Sequence, residues 1–211
     1  LPPAPRLLSD RSPSFSFVLS AFHYAGSIGQ AVQSFAQLIY PGDFSALFIA
    51  YCSPHDTARL VVTLRSPLLS FLRQPSNLAK SAALNRGLAA ARFDVIITLD
   101  ADSHLHRGAL RNLVERYLTD PAGTRAVAGT MLVLNSRETW VTRAQEWDYF
   151  HGISAVKRMQ SLFHGTLVAQ GAFSLYERSA LEEIGGWVEC VGEDIVLTWA
   201  MLERGWRVGH A

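Results

Sequence analysis

The sequence predicts an α/β fold in which a mixed, mainly parallel sheet is flanked by helices on both faces. Three observations predict it. Strand-like runs such as 44–51 (FSALFIAY) and 94–99 (DVIITL) are continuously apolar rather than alternating, as strands buried on both faces require. Segments of helical spacing lie between such runs, as at 27–40, where Ile28, Val32, Phe35 and Leu38 recur every three or four residues. Finally, 211 residues that are 49% hydrophobic and 18% charged suffice for one buried core.

A Pro/Ser-rich lead-in occupies 1–13, and a single domain is expected over 14–211. Its first strand is expected at 14–21 (SFSFVLSA) and its first helix at 27–40, with a turn at the YPGD of 40–43. A strand at 44–51, a short helix around 56–65, a strand near 70–73 and a helix at 78–91 follow, then the strand 94–99. Beyond it come a helix at about 108–118, a strand at 125–135 and a long helical stretch over 138–162. The last third reads as a strand around 166–176, a helix near 178–185, the GGW turn and a helix at 193–204 that stops at Gly205. The start at Leu1 without methionine, and an end at Ala211 inside the strand-like WRVGHA, are expected of a piece of a longer protein truncated at its C-terminus.

Charge and cysteine content remove some classes. Nineteen basic and 18 acidic residues are spread along the chain for a net +1, so no basic stripe marks nucleic acid as a partner. No apolar run reaches the ~18 residues needed to cross a bilayer. Cys52 and Cys190 stand far apart in no metal-ligand spacing and read as reduced thiols, which favours a cytoplasmic location.

The chemistry concentrates where strands end. In open α/β sheets ligands bind beyond the carboxyl ends of strands, and Asp100 and Asp102 stand at one such end, in LDADSHLH. Two close carboxylates repel unless a cation or hydrogen-bond donors compensate, and their hard oxygens suit Mg²⁺ or Mn²⁺; a solvated turn capping the next helix is the plainer account. His104 and His106 could extend a metal site or serve as polar surface at the helix entry. In VGEDIVLTW, Gly192 is placed as an N-cap with Glu193 and Asp194 in the first turn, where acids favour the helix dipole by ~0.3–1 kcal/mol. In NLAKSAALNRG, Lys80 near a helix start could meet phosphate oxygens, and Asn85 offers both a donor and an acceptor; a solvated lysine is the alternative.

Taken in order, these pieces resemble the family 2 glycosyltransferases, inverting enzymes of the GT-A (Rossmann-like) fold that use nucleotide-sugars. The similarity runs from about Ser14 to Ala211. It rests on LSAFHYAGSIGQAVQSFAQLIYPGDF, AKSAALNRGL, LDADSHLHRGAL, QGAFSLYERSALEEIGGW and GEDIVLTW. The resemblance implies a metal at Asp102 and Asp100, with Asp100 also beside the donor diphosphate. It implies Lys80 and Asn85 in the donor pocket, and Asp194 as the catalytic base. Gly171, Trp187 and Glu193 fall on the acceptor side. Two departures stand out: Ala50 and Tyr51 occupy the family's paired-acid positions after the second strand, so Tyr51 is the residue left to stack on or bond to the base, and His23 and Tyr24 replace a polar pair. The processive members' Q-x-x-R-W would lie beyond Ala211.

The expected partners are a nucleotide-sugar donor, a UDP-sugar foremost, and a glycan or lipid-linked acceptor in polysaccharide synthesis, with the full-length protein anchored at the cytoplasmic face of a membrane. Rival readings are a degenerate GT-A domain kept for binding or assembly, a haloacid-dehalogenase-type phosphatase with Asp100 as nucleophile, and a nucleotidyltransferase. Against the last, SAFHYAGS carries one glycine where a Gly-rich loop is needed; against the phosphatase, strand–helix units precede the aspartates, whereas its motif normally opens the domain.

Overall fold

The computed structural model describes residues 12–22, 34, 37–51, 69–73, 79–100, 102–163 and 165–211. The helices expected at 27–40 and 56–65 lie almost wholly outside them, as do His23, Tyr24 and Cys52.

The described strands form one seven-stranded sheet. They are β1 (Phe15–Phe22), β2 (Phe44–Tyr51), β3 (Leu69–Arg73), β4 (Val95–Asp100), β5 (Thr124–Ala128), β6 (Phe173–Glu177) and β7 (Arg207–His210), in the order β3-β2-β1-β4-β6-β5-β7. β3, β2, β1 and β4 run parallel, β6 is antiparallel to both neighbours, and β5 and β7 are parallel to each other. The sheet is therefore mixed and mainly parallel, as expected.

The continuous apolar runs have the predicted cause: alternate residues of one strand enter different cores. Phe17, Leu19, Ile97 and Leu99 pack with Leu110, Leu113 and Val114 of α2 (Ala109–Thr119) on one face. Val18, Ile49 and Ile96 pack on the other face with Ala83, Leu84 and Leu88 of α1 (Lys80–Ala90). Each fully buried Leu, Ile or Phe contributes ~1.5–3 kcal/mol. α1 lies close to the sheet because Gly87 has no side chain: a Cβ there would stand 2.3 Å from Val18 Cγ1 and 2.6 Å from Ile49 Cδ1.

Two strands are shorter than expected. β5 stops at Ala128 instead of reaching 135: Gly129 N still bonds Phe173 O at 2.9 Å in the register of the ladder, with the Phe173 ring filling the place of a Cβ at Gly129, and beyond it Leu132 and Leu134 are exposed. β6 begins at Phe173, not near 166, and 166–172 form a loop tied by side chains. The long helical stretch is present as α3 (Trp140–Asp148), a π-helical segment (Tyr149–Ala155) and α4 (Val156–Phe163). α5 (Arg178–Ile184) and α6 (Glu193–Glu203) follow near the expected positions.

Candidate functional site

Register assembles the site. Asp100 ends β4 with its N–H on Ala172 O at 3.3 Å, so the start of the antiparallel β6 meets the carboxyl end of β4. Ala128 and His210, the ends of β5 and β7, are paired in the same register and reach the same edge. At this edge Lys80 Nζ lies 2.7 Å from Asp100 Oδ1, and Ser20 Oγ donates to the same oxygen at 3.4 Å. Both members of the ion pair are partly exposed, so the pair orients more than it stabilises. Asp102 is exposed on the turn that follows. Gly171, expected toward the acceptor, stands against Lys80: a Cβ at Gly171 would be 3.5 Å from Nζ.

A second group gathers around the same loop. α6 begins at Glu193 after Gly192, the expected N-cap. Asp194 is half-buried, its Oδ1 accepting from Ile195 N at 2.9 Å in the helix's first turn. Thr198 Oγ1 donates to Asp194 O at 2.6 Å and accepts from Ala169 N at 2.9 Å, while Tyr176 OH donates to Ala169 O at 2.7 Å. Those bonds fix the first turn of α6 against the loop that carries Gln170 and Gly171. Gln170 Oε1 in turn accepts from Lys157 Nζ of α4. Burial pulls the Lys157 ammonium down to about 8, an effect partly offset by the Asp194 carboxylate. Burial also raises the Tyr176 phenol well above its ordinary range, with Asp194 and Glu193 adding to the shift. The loop thus meets Lys80, the partner of Asp100, at Gly171 and Lys157 at Gln170, and Thr198 ties it at Ala169 to the backbone of Asp194.

The sequence profile described as Glycosyl transferase family 2 matches residues 16–185. The chain belongs to that family. Lys80, Asp100, Asp102 and Gly171 fall inside the matched stretch and Asp194 beyond its end. The chain is also similar to known glycosyltransferases. It is 26% identical over 208 residues to the poly-beta-1,6-N-acetyl-D-glucosamine synthase of Staphylococcus aureus, which covers 98% of this chain and 50% of the synthase. It is similar in fold to the mannosyltransferase PcManGT from Pyrobaculum calidifontis, in complex with GDP-Man and Mn²⁺ (TM-score 0.79, 20% identity, 96% of this chain and 56% of that one). It is also similar to S. aureus TarS 1–349 in complex with UDP-GlcNAc (TM-score 0.69, 16% identity, 94% and 56%). These likenesses show the GT-A fold, and the chain spans about half the length of the curated relatives it matches.

Within this family 2 domain two expected site residues are spent on structure. Asn85 Nδ2 donates to Trp187 O at 2.8 Å and Asn85 Oδ1 accepts from Trp187 N at 2.8 Å, so its amide clasps the GGW turn. Gly186 passes under that clasp with φ +79°, and a Cβ there would lie 2.2 Å from Asn85 Oδ1, so glycine alone fits. Trp187, expected as a sugar-stacking ring, is 2% exposed and edge-on to Tyr176 at 5.7 Å between centroids. It has no face open to a sugar and is core. Tyr51 ends β2 opposite Phe22, and its side chain lies outside the described residues. His106 Nδ1 accepts from Gly108 N at 3.3 Å at the entry to α2, and among the described residues no three His, Cys, Asp or Glu gather as a metal site.

Lys157, Thr198 and His210 were not singled out by sequence. His210 is 3% exposed, with both ring nitrogens buried and unpartnered; burial, with the charges of Lys157, Arg158 and Arg116, lowers it to about 4, so it is neutral at pH 7. Its position in a strand-like run gave no chemical signal. Cys190 is a free, exposed thiol.

Proposed function

We propose that this chain is the catalytic domain of an inverting glycosyltransferase that moves a sugar from a nucleotide diphosphate, a UDP-sugar foremost, to a hydroxyl of a glycan or lipid-linked acceptor in polysaccharide synthesis. Family membership and the activity for which the S. aureus relative is named support the reaction class. The observation that carries the reading is the Ala169–Gly171 loop, which Lys80 of the Lys80–Asp100 pair meets at Gly171 and which Thr198 ties to the first turn of α6 at Asp194.

In this reading Lys80 meets the donor phosphates. Asp194 takes the proton from the acceptor hydroxyl as its oxygen bonds to the anomeric carbon. The bond from that carbon to the diphosphate oxygen breaks on the opposite side, the electron pair leaves with the nucleotide, and the anomeric centre inverts. The carboxylates of Asp100 and Asp102 suit Mg²⁺ or Mn²⁺: both are hard donors, and two suffice for an ion that completes its shell with phosphate oxygens and water. The Lys80 ammonium 2.7 Å from Asp100 Oδ1 supports a cationic partner for this carboxylate. When bound, such an ion would neutralise charge on the departing diphosphate.

Calorimetry with UDP-N-acetylglucosamine and GDP-mannose, each with and without Mn²⁺, tests this: one donor is expected to bind in a Mn²⁺-dependent manner. No binding of either, together with hydrolysis of 4-nitrophenyl phosphate, would instead support the phosphatase.

We further propose that the protein works at the cytoplasmic face of a membrane. Among the described residues no helix is long and apolar enough to cross one. α3, however, has no buried residue, and Trp147 (68% exposed) and Phe163 (81%) project with Trp140, Phe150 and Leu162 along the α3–α4 stretch, beside exposed Arg137, Arg143 and Arg158. Aromatic and basic side chains on one helical stretch suit an anionic lipid interface. The chain is expected to sediment with phosphatidylglycerol-containing vesicles, and the double variant Trp147→Ser, Phe163→Ser to stay in solution; equal sedimentation of both would remove this reading.

A further inference from the structure

The two carboxylates after β4 are not alike. Lys80 Nζ lies 2.7 Å from Asp100 Oδ1, and Ser20 Oγ, paired with Asp100 across the β1–β4 ladder, donates to the same oxygen at 3.4 Å. Asp102, exposed on the turn that follows, has no ion pair among the described residues. One charge of the acid couple is thus met by the chain itself and the other is open to solvent. Lys80 is the first residue of α1, whose core contacts with β1 and β2 fix the backbone, while the four-carbon stem leaves the ammonium free to swing. Both side chains of the pair keep close to a third of their exposure (30% and 29%), and an ion pair so open to water is weak. A divalent ion on Oδ1, at ~2.1 Å, would stand no more than roughly 5 Å from an ammonium itself 2.7 Å from that oxygen, and the two cations repel. A diphosphate changes the balance. Its oxygens offer the ammonium a partner of greater charge than one carboxylate, and offer the ion further ligands.

We infer that Lys80 is a place-holding cation: without donor it neutralises Asp100, and on donor binding it passes to the phosphates and yields Asp100 to a divalent ion. The inference rests on the metal-assisted reading given above. Its consequence is coupling between two ligands. Donor and ion each strengthen the binding of the other by the same factor, because the donor draws away the ammonium that opposes the ion. Removing the ammonium therefore moves the two ligands in opposite directions, weakening the phosphates and strengthening the ion.

The test is a titration of the full chain with Mn²⁺, the free ion being read by electron paramagnetic resonance, first alone and then with whichever of UDP and GDP binds. Lys80→Met removes the charge and keeps an unbranched side chain. It is expected to bind Mn²⁺ alone about tenfold more tightly than wild type, and its gain from the nucleotide is expected to be about tenfold smaller. The nucleotide without Mn²⁺ is expected to bind Lys80→Met more weakly than wild type. Lys80→Arg keeps a cation beside Asp100 and is expected to bind Mn²⁺ alone as weakly as wild type does. In an Asp100→Asn background the gain from Lys80→Met is expected to vanish; a gain that persists there comes from net charge and overturns the inference. Equal affinity of wild type and Lys80→Met for Mn²⁺ alone also overturns it and leaves the metal-assisted reading standing. Failure of every chain to bind Mn²⁺, with or without nucleotide, sinks that reading and the inference together.

Discussion

Asp194→Asn is expected to lower the turnover of saturating donor by about 10²–10⁴-fold while donor affinity stays within about twofold. The asymmetry follows from what the substitution leaves in place. Asparagine keeps an oxygen that can accept from Ile195 N, as Oδ1 does at 2.9 Å, so the first turn of α6 stays capped. The Thr198 bond goes to the backbone carbonyl of residue 194 and is indifferent to the side chain. Through Thr198 and Ala169 the Gln170–Gly171 loop keeps its place, and the Lys80–Asp100 pair is untouched. What disappears is a proton acceptor and a negative charge. Nucleotide release measured at saturating donor, set beside a calorimetric donor affinity, separates the two quantities. Wild-type turnover in the variant would end the base assignment. A parallel loss of donor binding would mean that Asp194 holds up the site instead of acting in it.

How far the sequence foretold the site depends on whether each residue's role is local. The β4 end was legible because an apolar run closing on Asp100 and Asp102 is a pattern along the chain. The Lys80–Asp100 pair was half legible: both residues were marked, and the parallel β1–β4 and antiparallel β4–β6 pairings were needed to frame them at one edge. The structural work of Asn85 and Trp187 was not legible, because two amide–backbone bonds across 102 residues leave no trace in either segment. Lys157 was overlooked for a physical reason. Helical spacing assigns apolar positions inward, which would put Val156, Met159 and Phe163 inside and the lysine in water, whereas α4 turns the other way. Strand character likewise overextended β5: MLVLN reads as strand, but the ladder to β6 ends with the Gly129 N–Phe173 O bond, and Leu132 and Leu134 beyond it are exposed. Periodicity identifies an element more surely than it says which side of that element is covered.

Asp102→Ala is expected to weaken Mn²⁺-dependent donor binding by at least about 10²-fold, since loss of groups that merely support a metal's ligands already costs 10–100-fold in affinity. It is the cleaner of the two strand-end substitutions. Removing the Asp100 carboxylate would also leave Lys80 Nζ without the oxygen 2.7 Å away and Ser20 Oγ without its acceptor, so any loss of donor binding would mix two causes. Asp102, exposed on the turn after β4, is not enclosed in the core, and a substitution there is expected to change stability by no more than about 0.5 kcal/mol. Donor binding in the absence of Mn²⁺, carried by Lys80 and the strand-end loops, should therefore survive in the variant at its wild-type level. Calorimetric titrations of UDP-N-acetylglucosamine across a Mn²⁺ series read both components in one experiment. If the Mn²⁺ dependence of Asp102→Ala overlays that of wild type, the ion is not held by this carboxylate. Neutralising the leaving diphosphate would then fall to the cations of the chain itself, with Lys80 already at the strand end.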